Sequence, residues 1–202
     1  MKPTDQLPPP LDVRRRDANR WSSRFNRAWR IATVVTFVLA IAVPIGTLVG
    51  FRLIISSSVP KGLWWVHSGM IRRNSYVFIC LPPGVAAEGR QAGYLNRGIC
   101  PASALPVMKR VVAMSGDSVK LTKHGLEVNG HVVPDSVLLR YDSHGRPIRR
   151  FVTYSTSARV SSGTVWLLGD WYRSWDSRYY GGVAAMRMIG IGDPVLVTPA
   201  GS

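Results

Sequence analysis

Three stretches of this chain carry side chains that can act in concert. Ser56-Ser57-Ser58-Val59-Pro60-Lys61-Gly62 offers hydroxyls, and a serine hydroxyl becomes a useful nucleophile only when a base takes its proton. Pro106-Val107-Met108-Lys109-Arg110-Val111-Val112-Ala113-Met114 sets a lysine among apolar residues. In a strand, Lys109, Val111 and Ala113 share one face, and Met108, Arg110, Val112 and Met114 the other. Lysine titrates near ~10.4 in water and must fall by about three units to act as a base near neutrality, which costs on the order of 4 kcal/mol. Apolar packing can supply that; an exposed lysine cannot. The third stretch, from Trp166 to Gly182, holds Gly169-Asp170 and then Ser174-Trp175-Asp176-Ser177-Arg178, with Asp176 and Arg178 close enough to pair.

Taken singly, each stretch also has an ordinary structural explanation. Ser-x-Pro is a common turn. A lysine on a strand usually keeps its amine in water while its stem packs. Gly-Asp after an apolar run makes a corner. Chemistry requires that all three meet, so the elements that hold them matter.

The most pronounced of these elements is apolar. Ile31 to Gly50 is twenty residues without a charge, and at about 1.5 Å per residue a helix of that length crosses the roughly 30 Å hydrocarbon layer of a bilayer. Pro44 is tolerated in a spanning helix. Residues 1–30 carry eight lysines and arginines against three aspartates, with seven of the arginines between Arg14 and Arg30. The far flank opens with only Arg52 and Lys61. The positive-inside bias therefore predicts a basic cytoplasmic tail over residues 1–30, a transmembrane helix over 31–50, and a periplasmic domain over 51–202. Trp21 and Trp29 suit the cytoplasmic interface. A cleaved signal peptide is the alternative, because Ala40-Ile41-Ala42 has an A-x-A pattern. Against it, the apolar run continues past Ala42 for eight residues and the leading segment is long.

Composition narrows the class. The 202 residues carry a net charge of +15, yet only 18% are charged and 46% are hydrophobic, which excludes a charge-repelled disordered chain. Eleven carboxylates, two cysteines and four histidines argue against a Ca²⁺, Mg²⁺ or zinc site, so no metal and no cofactor is expected. The basic excess suits anionic lipid headgroups or an acidic partner. No helix-turn-helix, zinc-finger or aromatic RNA-binding motif supports nucleic acid as a partner.

Beyond residue 51 the pattern is of short strands. Leu63–Val66, Ser75–Ile79, Met108–Met114, Ser118–Leu121, Val132–Val133, Thr164–Leu168 and Pro194–Val197 read so, punctuated by many of the 19 glycines and 14 prolines. Asn129-Gly130 between apolar runs marks a hairpin. No stretch there sustains a helical period, so the fold class is mainly β, an antiparallel sheet. Pro3 to Pro10 reads as a disordered tip. Cys80 and Cys100 would lie in an oxidising compartment, where a bridge closing about twenty residues is worth roughly 3 kcal/mol. Two buried free thiols are the alternative. The loop between them is rich in turn residues and shows no clear core pattern.

In order along the chain, Ser58-Val59-Pro60, Lys109-Arg110-Val111-Val112 leading to Gly116-Asp117, Gly169-Asp170, and Ser174 to Arg178 resemble the boxes of the signal peptidase I superfamily of Ser-Lys membrane peptidases. The chain looks most like the TraF-type conjugal-transfer peptidases, through Gly62, Trp64, Cys80-Leu81-Pro82-Pro83, Gly93-Tyr94-Leu95 and Gly98-Ile99-Cys100-Pro101. The resemblance runs from about residue 51 to 197 and implies a signal-peptidase-like catalytic domain. It implies Ser58 as nucleophile, Lys109 as general base, Ser56 with the Ser58 N–H as oxyanion donors, and Ser174 as the serine that orients the lysine. Asp176 and Arg178 would hold the site, and Asp176, rather than Asp170, is matched to the acidic residue that TraF-type enzymes need. Two features depart from the pattern. Val59 stands where methionine usually follows the serine, and the spacing from Asp170 to Ser174 is one residue short.

These matches imply an inner-membrane, single-pass serine endopeptidase. Its expected partners are the lipid bilayer, a membrane-tethered, pilin-like precursor, and proteins of a conjugation channel. Ser58 lies eight residues past Gly50, which suits tethered substrates. The released product is either linear or, if a substrate amine resolves the acyl-enzyme, a ring. The competing readings are a non-catalytic, membrane-anchored assembly factor of a conjugation or secretion channel and, more remotely, a DNA-binding protein.

Overall fold

The computed structural model describes residues 13–152 and 157–199, with side chains from residue 25 onward. The Pro3–Pro10 stretch and the Trp21 side chain lie outside these. The chain divides into two compact units between Val49 and Gly50. In the first, a single helix, α1 (Val13–Leu48), carries the apolar stretch. Its segment Phe25–Leu48 is long and apolar enough to cross a membrane, and its side chains are unburied. Pro44 sits inside the helix, where the Thr47 hydroxyl donates to the Pro44 carbonyl at 2.8 Å.

The second unit is built from short strands. In chain order they are β1 (Phe51–Ile54), β2 (Lys61–His67) and β3 (Tyr76–Ile79), then helix α2 (Pro83–Gln91) and β4 (Arg97–Cys100). Next come β5 (Val107–Met114), β6 (Ser118–Thr122), β7 (Gly125–Val128), β8 (His131–Val132) and β9 (Ala158–Arg159). The chain finishes with β10 (Thr164–Leu168), the one-turn helix α3 (Ser177–Tyr180), β11 (Val183–Ala184) and β12 (Met188–Thr198). A seven-stranded sheet has the order β1-β2-β12-β3-β5-β10-β11, and a four-stranded one the order β8-β7-β6-β9. All the pairings are antiparallel. The fold class read from the sequence is therefore the observed one. The Asn-Gly hairpin joins β7 to β8, with Asn129 and Gly130 at φ of 52° and 83°, the conformation a tight primed turn requires.

β5 runs between β3 and β10 and is covered on both sides. Val111 belongs to one apolar cluster with Val77, Ile79 and Leu167, while Val112 and Ala113 belong to another with Leu121 and Leu126 of the small sheet. A strand covered on both faces reads as a continuous apolar run, which is why Lys109 stands out in it.

Two expectations change. The segment between the cysteines, read as a coreless loop, contains α2, and Val85, Ala86 and Leu95 from it are buried in the main core. A nine-residue helix whose inward positions are Val85, Ala86 and Gly89 presents too little apolar contrast to show a period. Gly89 is required there, because a Cβ would lie 2.6 Å from the Trp175 ring and 2.7 Å from Leu95. The strand expected at Pro194–Val197 is longer, running from Met188 to Thr198 and pairing with both β2 and β3. Its register shifts beside Pro194, a residue with no N–H to offer a ladder. Of the two cysteine readings, the bridge is the one observed: Cys80 and Cys100 are joined, with Cα atoms 5.5 Å apart.

Candidate active site

Ser58 lies in the turn between β1 and β2, and its position is set from three sides. Val59 is fully buried in a small cluster with Trp64 and Met108. The Trp64 indole N–H donates to the Pro60 carbonyl at 3.0 Å. The Asp170 backbone N–H donates to the Ser58 carbonyl at 2.7 Å. The apolar Val59 is thus the peg that seats the turn, leaving Ser58 half-buried at the wall of a cleft.

Lys109 enters from β5, opposite Val77 of β3. It is only 4% exposed. Burial pushes its pKa down to about 8, helped by the Arg178 charge and opposed by Asp176 and Asp170. Its Nζ donates to Ser174 Oγ at 2.5 Å, and Ser174 Oγ donates to Ser58 Oγ at 3.3 Å. The Ser174 hydroxyl therefore stands between the Lys109 amine and the Ser58 hydroxyl. Of the three adjacent serines, Ser58 is the one whose hydroxyl meets it. The shorter Asp170–Ser174 spacing still delivers Ser174 to the lysine. Gly169 makes room, since a Cβ there would fall 2.1 Å from Ser174 Oγ.

Ser56 lies beside Ser58, whose backbone N–H donates to the Ser56 Oγ at 3.3 Å. The two groups matched to oxyanion donors thus occupy one spot and are bonded to each other.

Asp176 and Arg178 are both fully buried. Arg178 Nε and Nη2 donate to Asp176 Oδ1 and Oδ2 at 2.8 and 2.9 Å, a bidentate pairing. The remaining capacity of each is used on backbone. Asp176 accepts from the Gly169 N–H at 3.0 Å and caps α3 by accepting from the Arg178 N–H at 3.2 Å. Arg178 donates to the carbonyls of Ser174, Val137 and Tyr172 at 2.8, 2.9 and 3.0 Å. The pair touches no reacting atom. It fixes the backbone on either side of Ser174.

A second acidic group acts on the other side. Asp170 accepts from Tyr76 Oη at 2.5 Å and from Arg110 Nε at 2.7 Å. Burial, then Asp170 itself, raises the Tyr76 pKa above its ordinary range. The sequence assigns Tyr76 and Arg110 no part in the site, although Arg110 belongs to the box that holds Lys109 and Tyr76 to an expected strand. Their signal was slight: Arg110 adjoins Lys109 but lies on the opposite face, and it faces Tyr76 across the β3–β5 ladder.

The cleft measures about 750 Å³ and is lined by Ser58, Lys109 and Ser174 together with mostly apolar residues. Among the described residues, no group of three or more His, Cys, Asp or Glu is placed to hold a metal ion.

The chain has relatives. A plasmid transfer protein TraF from Escherichia coli is 33% identical over 176 residues, spanning 86% of this chain and 98% of that protein. A probable conjugal transfer protein TraF from Sinorhizobium fredii is 37% identical over 155 residues, 73% of this chain and 77% of that one. A signal peptidase I structure from Enterococcus faecalis V583 covers 62% of this chain and 98% of its own at 20% identity, with a TM-score of 0.34. The family model described as signal peptidase, peptidase S26, matches residues 27–196. With that span matched and TraF relatives along most of its length, the chain belongs to the peptidase S26 signal peptidase family and is of TraF type.

Proposed function

We propose that this protein is a membrane-anchored serine endopeptidase with a Ser-Lys dyad that matures an exported, pilin-like precursor for conjugation. One observation carries the reading: a lysine shut away from water is linked through one hydroxyl to the hydroxyl of Ser58. With a pKa of about 8, a useful fraction of Lys109 is neutral near pH 7. Neutral Lys109 takes the Ser174 proton as Ser174 takes that of Ser58. Ser58 Oγ then attacks the scissile carbonyl. The Ser58 N–H leaves Ser56 Oγ, and both donate to the oxyanion. The protonated Lys109 returns its proton, through Ser174, to the leaving amine. Water, or an amine of the substrate itself, releases the acyl-enzyme, giving a linear or a cyclic product. An extended substrate adds along the edge strand β1, whose Leu53 and Ile54 line the cleft.

The conjugative role is suggested by the names of the TraF relatives. A basic tail followed by an apolar helix supports a cytoplasmic N-terminus, an inner-membrane anchor and a periplasmic catalytic domain. The Cys80–Cys100 bridge suits that oxidising compartment. Mass spectrometry of a pilin precursor incubated with wild-type, Ser58→Ala or Lys109→Ala protein tests the whole reading. Wild-type protein should shorten the precursor, with loss of one further water if the product is a ring. Both variants should leave it intact while remaining folded. Full processing by either would return the protein to the class of non-catalytic assembly factors.

A further inference from the structure

One part of the cleft is lined by aromatic and aliphatic side chains that the dyad chemistry does not use. It begins at Trp175, the residue after Ser174, and is built by two segments outside the central sheet. One is the disulfide-stapled insert between β3 and β5, which contributes Tyr94 and Leu95. The other is the irregular strap after β8, which contributes Leu139 and Ile148. The Tyr94 and Trp175 rings lie 5.4 Å apart, and Trp175 packs edge-on against Tyr180 at 5.1 Å. The Leu139 N–H donates to Tyr179 Oη at 3.1 Å, which fixes the strap against α3.

The two segments are fastened to each other at the rim. Tyr94 Oη donates to Asp142 at 3.0 Å, Arg146 Nη2 donates to the Ala92 carbonyl at 2.7 Å, and Arg149 pairs with Glu88 at 2.9 Å. Asp142 also accepts from the Arg146 guanidinium and from the backbone N–H groups of His144 and Arg146. Its carboxylate is therefore already engaged and offers little to a charged side chain. What remains open to a ligand is the apolar surface of Trp175, Tyr94, Leu139 and Ile148, backed by the buried Leu95 and held in place before anything binds. Such preorganised apolar concavities take apolar groups.

We propose that this region is a substrate subsite for one large apolar or aromatic side chain, at a fixed distance along the polypeptide from the bond that Ser58 attacks. The inference rests on the peptidase reading above. It adds a specificity determinant, with Leu139 and Ile148 as the residues that set it.

The test uses the full chain in lipid nanodiscs and a mixed peptide library, with cleavage products identified by mass spectrometry and Ser58→Ala protein as the background. Cleaved peptides should share Phe, Tyr, Trp, Leu or Met at one position relative to the cut. Individual peptides with Phe there should exceed their Ala counterparts about tenfold to a hundredfold in kcat/KM, the range typical of filling an apolar pocket. Leu139→Asp and, independently, Ile148→Asp should bring the Phe-to-Ala ratio close to one and raise the Lys-to-Phe ratio. Damage to folding would scale all the peptides together and leave the ratios alone. Wild-type cleavage that is indifferent to this side chain, or ratios unmoved in both variants, overturns the subsite and leaves the peptidase standing. An absence of any Ser58-dependent cleavage overturns both.

Discussion

Asp176–Arg178 and Asp170–Arg110 are both aspartate–arginine pairs next to the Ser58–Ser174–Lys109 cluster, but water reaches only one of them. Both side chains of the first are fully buried, whereas Arg110 and Asp170 retain 26% and 17% exposure. The buried pair spends its remaining hydrogen bonds on the backbone around Ser174. The open pair acts through the Asp170 main chain on Ser58. In the interior, a charge that loses its partner has no solvent to turn to. Near the surface, water substitutes at small cost. The buried pair should therefore govern whether this region folds, and the open pair how accurately Ser58 is held.

Substitutions can break that contrast. The largest effect is expected for Arg178→Met, which strands Asp176 and should cost about 3–5 kcal/mol in a denaturation experiment, with cleavage lost as well. Replacing both partners, as Asp176→Leu with Arg178→Met, should recover much of that stability. Asp170→Asn should cost only about 1–2 kcal/mol, yet reduce kcat/KM by about tenfold or more through a loosened Ser58. Equal stability losses from Arg178→Met and Asp170→Asn would show that burial does not separate the two pairs.

Lys109→Met sharpens the comparison from the centre, because it removes a group that folding forces out of water. It should abolish cleavage while raising stability at pH 7 by roughly 1–3 kcal/mol, measured by urea titration. The mildest perturbation is pH itself. If Lys109 is the general base proposed above, its working form is neutral; with its pKa lowered to about 8, kcat/KM should climb roughly tenfold per unit below pH 8 and level off above it. A profile still rising towards the ordinary lysine value would mean that Lys109 is solvated during catalysis.

Much of this was legible because it is written locally. The apolar run from Ile31, the Asn129-Gly130 turn and the alternation of the strands depend on neighbours in sequence; the run lies within a helix that starts earlier, at Val13, the turn joins β7 to β8, and the strands form, with β12 longer than its pattern. Lys109 drew notice because a lone amine in an apolar strand is costly unless the fold uses it. Helix α2 went unseen because its packing face is Val85, Ala86 and Gly89, whose fit depends on Trp175 far along the chain. The resemblance favours Asp176 over Asp170, yet Asp170 holds the Ser58 carbonyl directly through its N–H, while Asp176 reaches the Ser174 backbone only through Arg178.

From sequence alone came the residue types that can do the chemistry, the antiparallel β class and a helix able to enter a bilayer, since these follow from composition and short-range periodicity. Tertiary structure decided which groups meet. Ser58, Lys109 and Ser174 come together across sequence separations of 51 and 65 only because β5 lies between β3 and β10, with the β1–β2 turn pinned to the Gly169–Asp170 corner. The depressed pKa of Lys109 belongs to that burial, because desolvation is a property of everything packed around an amine and not of its neighbours in the chain.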